Sequence, residues 1–437
     1  MTRRGWWLVV AGFLLPGSAQ LLAGNKKLGR VGIIASITLI SLLLITAVVF
    51  LVWRVGVFTL FGSSIALVII EALLILYALL WLALAIDTFR LVRLTRVRER
   101  AKAGIAVLAA VFVVVPVGVV AFGATIVDAQ RQLVGELFNF AGPAQDPVDG
   151  YYTFMLLGGD AGADRWGLRP DSITVVTVDA ETGAATLIGI PRNLQNAPFP
   201  EDSPMHAEWP NGFNCGDSCM INGVYTWAEG HPDLYPDAAA KGSSPGLEAT
   251  RDAVEGVTGL TIQFYVLIDM QGFADLVDAL GGVRINVTEP VPIAIEGGPI
   301  EEWIEPGDQV LSGYYALWYA RSRAGTSDYA RMERQRQVQE AVIAQFTPST
   351  LLTKYQGIAA AGRDIVETDI PQAMVGYLAD LADKTRVIPF TQLELVPPTV
   401  ITANPDFDVI HQMVSDAMTE SSTNPGGVEE PVETPVP

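Results

Sequence analysis

Residues 151–193 read YYTFMLLGGDAGADRWGLRPDSITVVTVDAETGAATLIGIPRN, and this stretch decides the fold. Thr153–Leu157 and Ile173–Val178 are short apolar runs with β-branched residues, bounded by Gly or Asp, as expected of central strands. Ala185–Ile190 follows a turn at Thr182-Gly183, which predicts a hairpin. Farther along, Phe264–Ile268 predicts another strand. Gln271–Leu280 predicts a helix, with Phe273, Leu276, Val277 and Leu280 at helical spacing and Gly281-Gly282 as its stop. Val283–Val287 returns as a strand, Trp318–Arg323 reads as extended, and Arg331–Phe346 reads as a helix with Val338, Val342 and Phe346 on its buried stripe. This alternation places residues 151–418 in the α/β class, as a mixed-sheet α/β/α sandwich. Cys215–Gly246, rich in Gly, Pro and Asp, reads as a long surface excursion. Residues 419–437 end in a run of Pro, Glu, Thr and Gly that cannot build a core and are expected to be a disordered tail.

Upstream of residue 151 the composition changes. Val31–Trp53 is apolar over a length that crosses a bilayer as a helix, and so are Leu60–Ile86 and Gly104–Val127. Pro116 in the third run is tolerable where neighbouring helices satisfy the freed carbonyl. Trp6–Ala23 is shorter and broken by Pro16-Gly17; a short fourth spanning helix is the favoured reading over a re-entrant segment or a signal peptide. Residues 1–128 are therefore a multi-span α-helical membrane module of three or four helices, and residues 129–150 a linker. Arg90, Arg93, Arg96, Arg98, Arg100 and Lys102 crowd one loop, and Lys26, Lys27 and Arg30 precede the first long span. Both loops belong on the cytoplasmic side, which sends everything after Asp128 outside the cell. Glu71 falls within the second long span, a functional candidate unless it is a protonated group bonded to a neighbouring helix.

The 437 residues divide sharply in charge: residues 1–130 carry a net +8 and the remainder a net −27. A purely soluble cytosolic enzyme is excluded. The acidic part repels a phosphate backbone, so nucleic acid is excluded as a partner. Cys215 and Cys219 stand in C-G-D-S-C, and three His in the chain are too few to complete a zinc cluster with them. A small-loop disulfide is the reading that suits a domain outside the cell.

The acidic part concentrates its few cations. Arg321, Arg323, Arg331, Arg334 and Arg336 fall in one short window. Arg331 and Gln335, four apart, share a helix face. Internal pairing with Asp328, Glu333 and Glu340 is one account of this cluster. The other is a phosphate or pyrophosphate site, because guanidinium forks match phosphate oxygens and stay charged. Asp160 ends the first strand after Gly158-Gly159, and Arg169-Pro170-Asp171-Ser172 leads into the second. Two carboxylates beside an arginine cluster suit Mg²⁺ held by few protein ligands and by substrate phosphates. Arg192 stands at the mouth of the third strand in Ile190-Pro191-Arg192-Asn193.

In order, L-L-G-G-D, R-P-D-S-I, I-P-R-N, I-N-G, D-M-Q-G-F-A-D-L-V-D-A-L-G-G-V, A-L-W-Y-A-R-S-R and D-Y-A-R-M-E-R-Q-R-Q-V resemble the LytR-CpsA-Psr family. The likeness runs from about Tyr151 to Phe346 and continues more weakly to residue 410. The resemblance implies a membrane-anchored, extracytoplasmic phosphotransferase that moves a glycopolymer from a polyprenyl-pyrophosphate carrier onto peptidoglycan. It implies Asp160 and Asp171 as the Mg²⁺-associated acids, Arg192, Arg321, Arg323 and Arg331 as catalytic cations, and Arg169, Gln335 and Asn222 as substrate-binding residues. It also implies an apolar tunnel for the lipid between sheet and helices. Three positions depart from the family pattern: Met220 stands where Lys is usual, Asn193 where Asp is usual, and Gly159 where Ser is usual.

The expected chemistry is Mg²⁺-assisted phosphoryl transfer to a sugar hydroxyl, with Asp171 or Asp160 available to take its proton. A pyrophosphatase and a non-catalytic module that holds lipid-linked glycan are the competing readings. A glycosidase is weaker, since paired acids alone do not need clustered arginines.

Overall fold

The computed structural model describes residues 2–92, 99–137, 142–159, 169–216, 218–294, 298–323, 327–345 and 366–423, with residues 350, 354 and 357. The chain divides into two compact units, Met1–Gln132 and Leu133–Pro437.

The first unit is helical: α1 (Thr2–Leu14), α2 (Ser18–Ala23), α3 (Lys26–Val52), α4 (Arg54–Gly62), α5 (Ser64–Val92) and α6 (Glu99–Leu137), which runs on past the unit boundary. Three helices are long and apolar enough to cross a membrane: Lys26–Val52, Ser64–Val92 and Ala103–Arg131. Trp6–Ala23 is not a fourth continuous helix. It breaks at Pro16-Gly17, where Gly17 takes φ +97°, a left-handed conformation that costs other residues about 1 kcal/mol or more. A Cβ on Gly17 would lie 2.5 Å from the Gly29 carbonyl oxygen of α3, so the turn also needs glycine for close approach. Gln20, fully buried, fixes this hairpin to α5 by donating to the Leu84 carbonyl (2.8 Å) and to Thr88 Oγ1 (3.0 Å). Glu71 meets a cation: its Oε2 lies 3.8 Å from Arg131 Nε on α6. Arg93, Arg96 and Arg98 of the basic loop lie outside the described residues.

The second unit begins with β1 (Tyr151–Gly159), β2 (Pro170–Asp179) and β3 (Ala185–Ile190). Then come α7 (Pro204–Glu208), α8 (Ile221–Glu229), α9 (Pro245–Thr258), β4 (Phe264–Asp269), α10 (Met270–Leu280), β5 (Val283–Val287), β6 (Val291–Ile293), β7 (Glu302–Ile304), β8 (Gly307–Leu311), α11 (Gly313–Arg321), α12 (Asp328–Gln345), β9 (Val366–Thr368), α13 (Val375–Thr385), β10 (Thr391–Glu394) and α14 (Phe407–Thr423). The main sheet has the order β10-β3-β2-β1-β4-β9. It is mixed: β1 pairs antiparallel with β2 and parallel with β4, and β10 pairs parallel with β3.

Alternate residues of the central strands divide between two faces. Met155, Leu157, Ile173 and Ile188 are buried beneath Val224 of α8, Val254 of α9 and Val414 of α14. Tyr152, Val178 and Phe264 pack on the other face against Leu381 of α13. On that face Phe154, Leu156, Val176 and Val266 remain only half-buried, unusual for the middle of a sheet. A second core around Val277, Val283, Tyr319 and Val338 binds the two small sheets to α11 and α12.

Two expectations are corrected. Trp318–Arg323 is not extended: Trp318 to Arg321 form the end of α11, whose first N–H, that of Gly313, is satisfied by Asp278 Oδ1 at 2.7 Å. Ala316 and Tyr319, three apart, supply the buried stripe of that helix. Cys215–Gly246 is not wholly a surface excursion, because Ile221, Val224 and Ala228 of α8 are completely buried. Cys215 and Cys219 form a disulfide with Cα atoms 5.1 Å apart. α14 continues to Thr423, five residues into the expected tail, and residues 424–437 lie outside the described residues, as does Phe346.

Candidate functional site

The antiparallel register of β2 and β3 builds the site. Ile173 pairs with Ile190, so two residues outward Asp171 faces Arg192. Arg192 Nη1 lies 2.5 Å from Asp171 Oδ1. Arg323, just beyond the end of α11, brings Nη2 to 3.5 Å from Asp171 Oδ2. Arg331, on the first turn of α12 and 2% exposed, donates from Nη1 to the Asp171 backbone carbonyl at 2.8 Å. Two guanidinium groups thus meet the Asp171 carboxylate and a third meets its backbone carbonyl, a gathering of fork-shaped cations that suits a phosphate-like anion.

Asp171, Arg192 and Arg331 line an open cleft between β2, β3 and α12. Gln335, one turn after Arg331, lines it with Ser172, Gly189, Arg336, Gln339 and Glu394. Arg336 is held internally, paired with Glu333 and with Glu340 at 3.3 Å on its own helix and donating to Gln392 Oε1 of β10, so internal pairing is the correct account of that arginine. Arg334 is structural as well. It is buried and donates to the carbonyls of Tyr319 (2.8 Å) and Ser322, closing the end of α11 from which Arg323 departs. Burial lowers the Arg334 pKa, the cost of holding that charge in the core.

Other expected residues stand elsewhere. Arg321 is exposed and does not line the cleft; its guanidinium lies 5.5 Å over the Trp318 ring. The helical geometry of α11 is the reason, since a strand would have set Arg321 and Arg323 on one face. Arg169 is exposed just before β2 and is not among the lining residues. Asn222 is buried at the start of α8, and its backbone N–H donates to the Arg192 carbonyl at 3.3 Å, so it supports the loop that carries Arg192. Asp160 lies outside the described residues. Among the described residues no group of three or more His, Cys, Asp or Glu is placed to hold a metal ion.

Glu394 gave no sequence signal. It enters the cleft from β10, some 200 positions after β3, through a parallel pairing of Glu394 with Gly189. Burial pushes its carboxyl up to about 7.

The chain is 30% identical over 232 residues to the polyisoprenyl-teichoic acid–peptidoglycan teichoic acid transferase TagU of Halalkalibacterium halodurans, covering 52% of this chain and 62% of that one. It is 26% identical over 253 residues to biofilm regulatory protein A of Streptococcus mutans, covering 56% of each. The chain thus spans less than two thirds of the length of either relative. Among solved structures, Bacillus subtilis TagV is similar over 63% of this chain and 98% of its own, at 21% identity and a TM-score of 0.46. TagT bound to LIIa-WTA is similar over 64% and 94%, at 17% identity and a TM-score of 0.42. The family model matches residues 129–421, the greater part of the 437, and on that match the chain belongs to the LytR_cpsA_psr family.

Proposed function

We propose that this protein transfers a glycopolymer from a polyprenyl-pyrophosphate carrier to peptidoglycan by phosphoryl transfer. The observation that carries the reading is the convergence of Arg192, Arg323 and Arg331 on Asp171 at the end of β2 and β3. Pyrophosphate is the anion whose charge and several oxygens match three guanidinium groups at one point. As the bond to the leaving lipid phosphate breaks, these fixed cations neutralise the charge that develops, with little reorganisation. The half-buried stripe Phe154, Leu156, Val176 and Val266 supports a slot for the polyprenyl chain on the sheet face that α13 covers in part. The names of relatives such as TagU add support for a teichoic-acid-like polymer and a peptidoglycan acceptor.

Mg²⁺ belongs to this proposal. Asp171 offers hard carboxylate oxygens, and its Oδ2, 3.5 Å from Arg323, keeps lone pairs for a cation. Asp171, with Asp160, would hold the ion, and the bound ion would screen phosphate charge. The three apolar helices of the first unit serve as the membrane anchor. The basic residues around Lys26 and Arg90 favour an extracytoplasmic second unit.

The test uses full-length protein in lipid nanodiscs with a short glycan on polyprenyl pyrophosphate, a peptidoglycan oligomer, and Mg²⁺ or a chelator. Mass spectrometry of the oligomer reads the outcome. A phosphodiester-linked conjugate, lost in Arg192→Ala and diminished by chelation, is expected. Free glycan phosphate that ignores the acceptor would identify a pyrophosphatase, and lipid bound intact would identify a binding module.

A further inference from the structure

We propose that Glu394 is the general base that takes the proton of the attacking peptidoglycan hydroxyl. The inference rests on the transfer reading above and assigns the proton a destination within that same cleft.

Asp171 is already engaged: its Oδ1 is held 2.5 Å from Arg192 and its Oδ2 is 3.5 Å from Arg323. Among the described residues, Glu394 is the other carboxylate lining the cleft. The backbone makes room for it, because a Cβ on residue 189 would collide with Glu394 Oε2. Glycine at 189 therefore lets the carboxylate lie flat over β3. Oε2 is buried and has no hydrogen-bond partner among the described residues, so it is an acceptor without a donor. A buried acceptor of this kind is costly unless a ligand supplies the missing O–H or N–H.

The surroundings keep this carboxyl ready to accept a proton at neutral pH. Burial raises its pKa to about 7; Glu333 of α12 acts in the same direction, and Arg336 opposes both. Glu340 is engaged with Arg336 and Gln392. Beneath Glu394, β3 presents Gly189, and the helix on the opposite face of the sheet contributes buried Ile410 and Val414. A base with its pKa near the working pH is the most effective proton acceptor.

Position agrees as well. Gly189 lies on β3 and Arg192 in the turn just past its end, and both line the cleft, at most about 10 Å apart along the chain. That spacing seats the pyrophosphate at the arginine end and leaves a sugar hydroxyl between the phosphate and Glu394. In the step, the hydroxyl oxygen forms a bond to the glycan-side phosphorus and the bond from that phosphorus to the bridging oxygen breaks. Polyprenyl phosphate leaves with that bond's electron pair, and the hydroxyl proton moves to Glu394, which later returns it to solvent.

The test follows kcat and KM from pH 5.5 to 9 in the same full-length nanodisc assay. Wild-type kcat should fall on the acid side with a midpoint near pH 7. Glu394→Gln should lose about 100-fold or more in kcat and lose that acid limb, with KM for the lipid donor within about twofold. Glu394→Asp should keep the limb at reduced rate, and Gly189→Ala should lower kcat by displacing the carboxylate. Because Glu394→Gln removes a buried charge, its thermal midpoint at pH 8 should equal or exceed the wild type, which separates lost chemistry from lost fold. Wild-type and Glu394→Gln proteins that form conjugate equally fast, with the same acid limb, would overturn this role alone. A wild type that binds the lipid but forms no conjugate would overturn the transfer reading, and this role with it.

Discussion

Arg192 and Asp171 face one another because each stands two residues beyond the pair Ile173–Ile190, and their side chains meet at 2.5 Å. A single register thus sets the central ion pair of the site. A one-residue slip would turn each side chain to the opposite face. The carboxylate orients the arginine at the end of the two strands.

Arg192→Ala should therefore lower kcat by about 100-fold or more, the scale of removing one preorganised donor to a developing oxyanion. Arg192→Lys should recover only part of it, because an ammonium cannot serve carboxylate and phosphate in one plane. The far-ultraviolet circular dichroism of both variants should match the wild type. Equal turnover by Arg192→Lys would show that charge alone suffices and that the fork geometry does not matter.

Arg334 is expected to matter for stability more than for chemistry. Its guanidinium closes the Tyr319 and Ser322 carbonyls, and Arg334→Met would leave both without that donor. Charge-assisted bonds of this kind are worth about 1.5–3 kcal/mol each, so a loss of about 3 kcal/mol is expected. Calorimetry should register it as a drop of about 5 °C in the melting of the second unit. An unchanged midpoint would mean that the end of α11 is held by packing instead.

The second unit should be more stable in mild acid than in mild base. Burial pushes the Glu255 carboxyl up to about 7, although its Oε1 accepts from the Ile262 N–H at 2.7 Å. The folded state binds this proton more tightly than the unfolded chain. Stability should then fall as pH rises from the ordinary carboxylate range through about 7, by on the order of 2 kcal/mol for this group. The gap between thermal midpoints at pH 5 and pH 8 should narrow in Glu255→Gln, with buried Glu394 keeping part of it. If the variant keeps the wild-type difference, Glu255 is not its source.

Gly17 in the first unit admits no side chain. With φ +97° and a Cβ position 2.5 Å from the Gly29 oxygen, Gly17→Val should disrupt the turn between α1 and α2. The expected result is a lower melting point of the first unit in detergent, with the transition of the second unit in place. Two unshifted transitions would show that the hairpin closes without a left-handed residue.

The local sequence carried much of this. Strands in 151–190 were legible from their apolar, β-branched runs, and the helix of 271–280 because Phe273, Leu276, Val277 and Leu280 recur at helical spacing and Gly281 ends it with positive φ; the structure adds the Asp269 cap, its Oδ1 accepting from the Gly272 N–H at 2.6 Å. The spans were legible because a bilayer imposes length and hydropathy directly on the chain. The arginine window was legible as a place where cations gather, because such charge density in an acidic domain needs a counterpart, whether internal carboxylates or a bound anion.

Which arginine does what was decided only by the tertiary structure. Arg323 and Arg331 reach Asp171, while Arg321 covers Trp318, Arg334 closes α11 and Arg336 pairs along its own helix. Spacing along the chain cannot separate these roles, since a helix or a strand over Trp318–Arg321 sends the same side chains in different directions. Glu394 was invisible for a further reason. Its partner Gly189 is some 200 residues earlier, and parallel pairing leaves no local trace in sequence, so only the closed sheet brings that carboxylate into the cleft.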